Sequence, residues 1–344
     1  MDKNSPLLSV RDLKVYFNLD EGVVKAVDGV TFDVNPGQIF GIVGESGCGK
    51  SVTMKAVLRI VEPPGKIVHG DILLRQLQSA GASGDGVINL TQLDANGKEM
   101  RSIRGAEIAL IPQEPMASFS PVHTVGNQLI EAIMLHQPVD AREARKIALQ
   151  MFKDVGIPIP DQRLDEYSWQ LSGGLRQRAI IAMALSCNPR LLIADEPTTA
   201  VDVTTQAQVL RLLRRLQQDR NAAIIFITHD LGVIAQMASY VMVMYLGLVM
   251  EQGPVDEIFH DPKHPYTQAL LRSIPSMDSQ PRVNLPTISG SIPHPFNKPK
   301  GCPFHPRCAK AMPGKCDVRV PALQPVGASQ SASCFLYHDV EVAA

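Results

Sequence analysis

Eight residues constrain this chain more than any others: Gly44-Glu45-Ser46-Gly47-Cys48-Gly49-Lys50-Ser51. They fit the pattern G-x-x-x-x-G-K-[ST] in full, and they stand in the setting that pattern needs. The apolar run 38–43 reads as a short strand, and residues from about 49 to 60 read as a helix. A strand, a glycine-rich turn and a helix N-terminus together make a cradle for a polyphosphate. Glycines let backbone N–H groups wrap the anion without Cβ clashes, and the helix dipole favours negative charge there. Gly44, Ser46, Gly47, Cys48, Gly49 and Val52 are accordingly expected at the phosphates. Lys50 can reach the β- and γ-phosphates, and Ser51 can ligate Mg²⁺. Cys48 takes a variable place in the loop and reads as a small tolerated side chain before a redox group.

A second strand end carries the complementary chemistry. The runs 190–195 and 222–228 are nearly continuous apolar stretches, as in strands buried on both faces of a parallel sheet. They end in Asp195-Glu196 and His229-Asp230. Ligands of open α/β sheets sit at the carboxyl ends of strands, where these polar residues fall. Asp195 would hold Mg²⁺, directly or through water, and Glu196 would polarise an attacking water. Alone, an apolar run ending in two carboxylates is a solvated strand end more often than a site. The glycine loop upstream changes that weighting.

Before the loop, 7–17 and 23–34 read as strands joined to it by a turn at Asn35-Pro36-Gly37. Residues 78–86 are small and polar, as in a loop or hairpin tip. Residues 140–156 read as an amphipathic helix, with Asp140 at the N-cap, Glu143 three residues later and Gly156 after the last apolar position. From about 261 the character changes. Nine prolines lie between Leu285 and Pro325, which disfavours regular helix or central strand in that stretch. Residues 261–344 read as a separate extension with short turns.

Leu171-Ser172-Gly173-Gly174-Leu175-Arg176-Gln177-Arg178 resembles the signature of ATP-binding cassette ATPases, a feature other phosphate-loop proteins lack. The physics is again anion binding, with a serine-capped helix start aimed at a phosphate. Leu175 stands where that signature usually has Gln. Further resemblances follow in chain order. Gln113 resembles the glutamine that contacts Mg²⁺ or water, Asp202 the aspartate after the catalytic strand, and His229 the switch histidine, 33 residues past Glu196. Phe17 resembles the aromatic residue that stacks on adenine, with Tyr16 the neighbouring candidate and a core aromatic the plain alternative. The resemblance implies an α/β phosphate-loop core with an antiparallel β subdomain, a helical subdomain at about 115–188 and a cysteine-bearing tail. It divides the chain at about 260. ATP and Mg²⁺ are the implied ligands, held between two cassettes packed head to tail, with Ser172, Gly173 and Gly174 of each facing Lys50 of the other.

His264-Pro265-Tyr266-Thr267-Gln268-Ala269-Leu270-Leu271 resembles the segment after the cassette in dipeptide and oligopeptide importer ATPases. Gly301-Cys302-Pro303-Phe304 and Arg307-Cys308 resemble their tail, and Cys316 and Cys334 complete it. Residues 183–199 look more like the first of the two ATPases in such systems. The four cysteines have five, seven and seventeen residues between them, which matches neither common zinc spacing nor the bacterial ferredoxin run. Resemblance to peptide importers implies a [4Fe–4S] cluster, with Zn²⁺ or unligated thiols as alternatives, and in each case a clamp for a proline-rich tail. His305 and His338 read as surface residues.

Net charge is −1, from 33 Lys plus Arg against 34 Asp plus Glu, so no global basic field exists to hold nucleic acid. No signal-peptide pattern is visible at the N-terminus, and the longest apolar run, 240–250, is too short to span a bilayer. A cytosolic protein is expected, peripheral to the inner face of the membrane through partners. Those implied are a paralogous ATPase forming a heterodimer, two transmembrane permease subunits, and indirectly an extracytoplasmic substrate-binding protein. Nickel or oligosaccharide import, or a non-transport cassette ATPase, remain the alternatives to peptide import.

Overall fold

The computed structural model describes residues 5–76, 86–114, 118–199, 202–274, 288 and 290–342. The expected loop at 78–86 lies outside them except for Gly86, as do Ala200 and Val201. The chain divides into two compact units: residues 1–34, 39–91 and 228–344 in one, and 35–38 and 92–227 in the other.

The first unit opens with β1 (Leu8–Leu19) and β2 (Gly22–Val34), an antiparallel hairpin. Leu8, Val10, Leu13 and Val15 of β1 are fully buried, while Arg11 and Lys14 are half-buried and Asp12 is exposed. A register shift between Val10 and Leu13, with Asp12 at φ 42°, keeps the apolar face inward across the bulge. Next come β3 (Ile39–Val43), buried at every position, and α1 (Lys50–Val57), shorter than its sequence suggests because the chain turns left-handed at Arg59. β4 (Gly65–Arg75) and β5 (Val87–Asn89) complete an antiparallel sheet in the order β2-β1-β4-β5.

The second unit contains α2 (Lys98–Ile103), β6 (Ile108–Ile111), α3 (Val125–His136), α4 (Ala141–Asp154), α5 (Pro160–Leu164), α6 (Gly173–Leu185), β7 (Leu191–Asp195), α7 (Val203–Arg220) and β8 (Ala223–Ile227). β6, β7 and β8 are adjacent and parallel, and every residue of β7 and β8 is buried. This is the pattern of strands covered on both faces. Asp140 caps α4 as expected, its carboxylate accepting from Glu143 N at 2.8 Å, and Gly156 follows at φ 74°.

The chain then returns to the first unit. α8 (Leu231–Met237) precedes β9 (Tyr240–Tyr245), which runs parallel to β3, and β10 (Leu248–Pro254) folds back antiparallel on β9. α9 (Val255–His260) and α10 (Pro265–Arg272) follow. The tail adds β11 (Gln324–Pro325) and β12 (Ser331–Ala332), with β12 paired to β10. Residues 261–344 thus belong to the same compact unit as the phosphate loop. Among the described residues, no helix is long and apolar enough to cross a membrane.

Candidate nucleotide site and four-cysteine tail

The phosphate loop joins β3 to α1 within the first unit. Two of its glycines are obligatory on local geometry. A Cβ at Gly44 would lie 2.2 Å from the Met244 carbonyl oxygen. Gly49 has φ 102°, and a Cβ there would lie 2.3 Å from the Ala26 oxygen. The loop therefore closes on its neighbours at both ends, while Ser46 and Gly47 are exposed at its crest. Lys50 is only 6% exposed, and its ammonium donates to the carbonyls of Gly44 at 2.8 Å and Glu45 at 3.2 Å. Ser51 and Val52 sit half-buried at the start of α1. Cys48 is buried with its thiol pushed up by desolvation, which the nearby Lys50 only partly offsets, so it packs rather than reacts.

Of the two aromatic candidates on β1, Tyr16 is already engaged. Its hydroxyl donates to Asp28 at 2.7 Å, and Asp28 also pairs with Lys298 of the tail at 3.0 Å. Phe17 is half-buried opposite Gly65, where a Cβ would come within 2.5 Å of its ring. His229 is exposed, immediately before the Asp230 that caps α8.

The second unit carries the carboxylates. Asp195 ends β7 and is 8% exposed. Glu196 follows in the left-handed region at φ 47°, a conformation that costs a non-glycine residue about 1–2 kcal/mol and that clusters at functional sites. Its backbone N–H donates to Ile227 O at 2.9 Å. Its carboxylate accepts from Thr199 Oγ1 at 2.9 Å and from Gln113 Nε2 at 3.3 Å. Gln113, just past β6, and Glu196 are therefore brought together although 83 residues separate them.

Ser172 caps α6, accepting from Leu175 N at 3.4 Å, and with Gly173 it is exposed at the helix start. Gly174 lies against Thr205, whose backbone N–H and hydroxyl both donate to Asp202 at 2.9 and 2.6 Å. Those bonds, the hydroxyl's first, hold the Asp202 carboxyl below its ordinary range. Sequence reasoning missed Gln177. It is 1% exposed, and its Nε2 donates to Pro197 O at 2.7 Å, tying α6 to the turn after Glu196. α3 leaves Met134 and Leu135 exposed beside a shallow groove also lined by Asn127, Ile130 and Glu131.

In the tail, Cys302, Cys308, Cys316 and Cys334 all line one cavity, with Pro265, Phe304, Met312 and Phe335 among its apolar walls. The backbone gathers them: Cys302 N donates to Cys316 O at 2.8 Å, and Gly301 at φ 71° comes so close to Cys316 that only glycine fits. Burial pushes the Cys302 thiol up to about 12 and the Cys334 thiol up to about 11, and the neighbouring sulfurs add to both shifts. All six cysteines are free thiols. Among the described residues, no group of three or more His, Cys, Asp or Glu side chains is arranged to hold a single metal ion. The zinc alternative therefore gains nothing from this geometry. His305 and His338 are half-buried, not surface residues as expected; their rings bond the carbonyls of Cys302 and Ala332, each at 2.9 Å.

The profile of the ABC transporter family matches residues 27–199, and that of the oligopeptide/dipeptide transporter C-terminal region matches residues 250–316. This chain belongs to the ABC transporter family. Three relatives match it over nearly its whole length. An oligopeptide transport ATP-binding protein of Bacillus subtilis, AppD, is 45% identical over 97% of this chain and 98% of its own length. A probable peptide ABC transporter ATP-binding protein of Sinorhizobium fredii is 44% identical over 97% and 96%. The dipeptide transport ATP-binding protein DppD of Escherichia coli is 42% identical over 95% and 96%. In fold, the chain is similar to the ATP-binding cassette MJ0796, solved as a dimer in a post-hydrolysis state with ADP and Pi. The TM-score is 0.62 at 24% identity, covering 72% of this chain and 98% of that one.

Proposed function

We propose that this ABC ATPase energises the uptake of di- or oligopeptides, working at the cytoplasmic face of the membrane with two permease subunits and a paralogous ATPase. The observation that carries the reading is one chain holding a phosphate loop, a capped signature helix and a four-cysteine tail, matched over 95–97% of its length by peptide-transport ATP-binding proteins. Ser51, Asp195 and Gln113 each offer an oxygen of the kind a hard divalent cation takes, and Mg²⁺ bound with ATP would neutralise phosphate charge. In the hydrolytic step, Glu196 takes a proton from water as the water oxygen bonds to the γ-phosphorus. The bond from that phosphorus to the β-bridging oxygen breaks, and ADP leaves. Lys50 and the loop amides hold the β- and γ-phosphates, and His229 contacts the γ-phosphate. Ser172, Gly173 and Gly174 serve the nucleotide of the partner cassette. Asp202 stiffens the start of α7 beside that signature. Phe17, rather than the engaged Tyr16, offers its ring to adenine.

Cyclic closing and reopening of the cassette pair drives the permease, because ATP favours the closed state. The groove beside Met134 and Leu135 on α3 suits an apolar coupling segment of a permease subunit. The four tail thiolates would hold an iron–sulfur cluster as a structural clamp. The reading rests on all four cysteines lining one cavity.

The test is reconstitution in liposomes of the anaerobically purified chain with its paired ATPase, permease subunits and binding protein. ATP-dependent peptide accumulation, with iron and sulfide in the same preparation, is the expected result. Accumulation of nickel or an oligosaccharide instead would move the cargo. Failure to assemble with any permease would leave only the ATPase.

A further inference from the structure

The phosphate loop is held from outside by the tail. Glu45, its second residue, is the only acidic residue within 44–51. Its carboxylate accepts both Nη atoms of Arg307, at 2.7 and 3.0 Å. The pair is largely withdrawn from water, with side-chain exposure of 5% for Arg307 and 21% for Glu45. Arg307 also donates to Tyr245 Oη at 3.2 Å, and the Glu45 backbone N–H donates to Tyr266 Oη at 3.0 Å. Tyr245, Tyr266 and Phe304 pack together in tilted and edge-to-face contacts, with centroids 4.8 to 5.5 Å apart. Glu45 meanwhile presents its carbonyl to the Lys50 ammonium. Arg307, Glu45 and Lys50 are thus joined in one line of contacts, from the tail to the cation that meets the phosphates.

The chemistry of that line concerns charge. A carboxylate inside a loop built to bind a polyanion works against binding unless it is neutralised. Bidentate arginine does this in a low-dielectric setting better than a solvated counter-ion. We propose that Arg307 is a positioning residue for ATP: by pairing with Glu45 it cancels the one negative charge built into the phosphate loop, which makes the cysteine-bearing tail part of the nucleotide site. The inference rests on the ATPase reading. It assigns Arg307 no contact with the nucleotide. An unpaired Glu45 would repel ATP in the ground state and in the transition state alike, so the effect belongs in KM and not in kcat.

The experiment is ATP hydrolysis by the assembled transporter, as a function of ATP concentration. The chains compared are wild type, Arg307→Lys, Arg307→Ala and the double variant Glu45→Gln/Arg307→Ala. Arg307→Ala should raise KM for ATP about tenfold with kcat within about twofold, and Arg307→Lys should fall between it and wild type. The double variant, which leaves no unpaired carboxylate, should return KM to within about threefold of wild type. If Arg307→Ala does not fold, the double variant alone decides. An unchanged KM in Arg307→Ala, or a double variant whose KM stays about tenfold high, overturns the proposal and leaves Arg307 a packing residue. Lys50→Ala in parallel tests the underlying reading: full turnover there would show that the hydrolysis measured does not come from this phosphate loop.

Discussion

Replacing Glu196 by Gln separates chemistry from stability, because the surroundings of this residue make the two effects very different in size. The left-handed turn at φ 47° is kept by backbone bonds, from Glu196 N to Ile227 O and from Thr199 N to Glu196 O at 3.1 Å, and glutamine leaves both intact. The Thr199 hydroxyl, now 2.9 Å from the carboxylate, can donate to the amide oxygen instead. A bond to a charged acceptor is worth about 1.5–3 kcal/mol and a neutral one about 0.5–1.5, so the loss is about 1 kcal/mol. The Gln113 contact at 3.3 Å is long and adds little. A loss of that size shifts the melting temperature by about 2–4 °C. Removing a general base, by contrast, lowers turnover by about 10²- to 10⁴-fold, or about 3–5 kcal/mol of barrier. The assay is phosphate release by the assembled transporter, paired with thermal unfolding of the same protein. Turnover within about threefold of wild type would remove Glu196 from the role of base. A melting temperature lowered by more than about 10 °C would show a carboxylate kept for structure.

Two further outcomes follow from individual contacts. Ser172→Ala should cost only about 0.5 kcal/mol of stability, because its cap bond is 3.4 Å long, yet should lower turnover of the assembled pair at least about tenfold. A loss of stability matching the loss of turnover would make the serine a cap and nothing more. Glu251 is fully buried, its carboxylate accepting from the backbone N–H groups of Lys263 and His264 at 2.6 and 3.0 Å, and burial raises its pKa above 4.5. A raised folded-state pKa contributes stability that is complete below the unfolded value and lost as pH rises through the folded one. The stability advantage of wild type over Glu251→Gln, read from denaturant unfolding, should therefore narrow as pH rises from about 4.5 to 7. An advantage that widens over that range would contradict the sign of the shift.

Where the sequence was legible, the reason was local. β3, β7 and β8 are short runs of apolar residues buried on both faces, and such strands are visible without knowing their partners. The phosphate loop is readable because its pattern is contiguous in sequence, although the contacts that oblige Gly44 and Gly49 to be glycine, with Met244 and Ala26, lie far along the chain. Asp140 and Ser172 were found as helix starts because a cap acts over three residues; Asp202, read from resemblance alone, proves to cap α7 in the same way. α10 was not anticipated as an element in its own right. Its Pro265 occupies the first helical turn, where the missing N–H costs nothing, and the His264 ring accepts from Tyr266 N at 3.0 Å as its cap. The contacts that spacing could not reveal join distant segments: Gln113 to Glu196, Gln177 to Pro197, and Arg307 to Glu45. Each is a polar side chain whose partner is fixed by the folded chain alone.

The last of these contacts also orders events in time. Glu45 and Arg307 are 262 residues apart. A ribosome adding about 5–20 residues per second completes the loop roughly 13 to 52 s before it makes the arginine. Throughout that interval the nascent chain carries β3, the glycines and Lys50 with Glu45 still uncompensated. A chain broken off anywhere before residue 307 keeps that uncompensated charge for good. On the proposed pairing, a chain gains its full affinity for ATP only once it has been extended past residue 307.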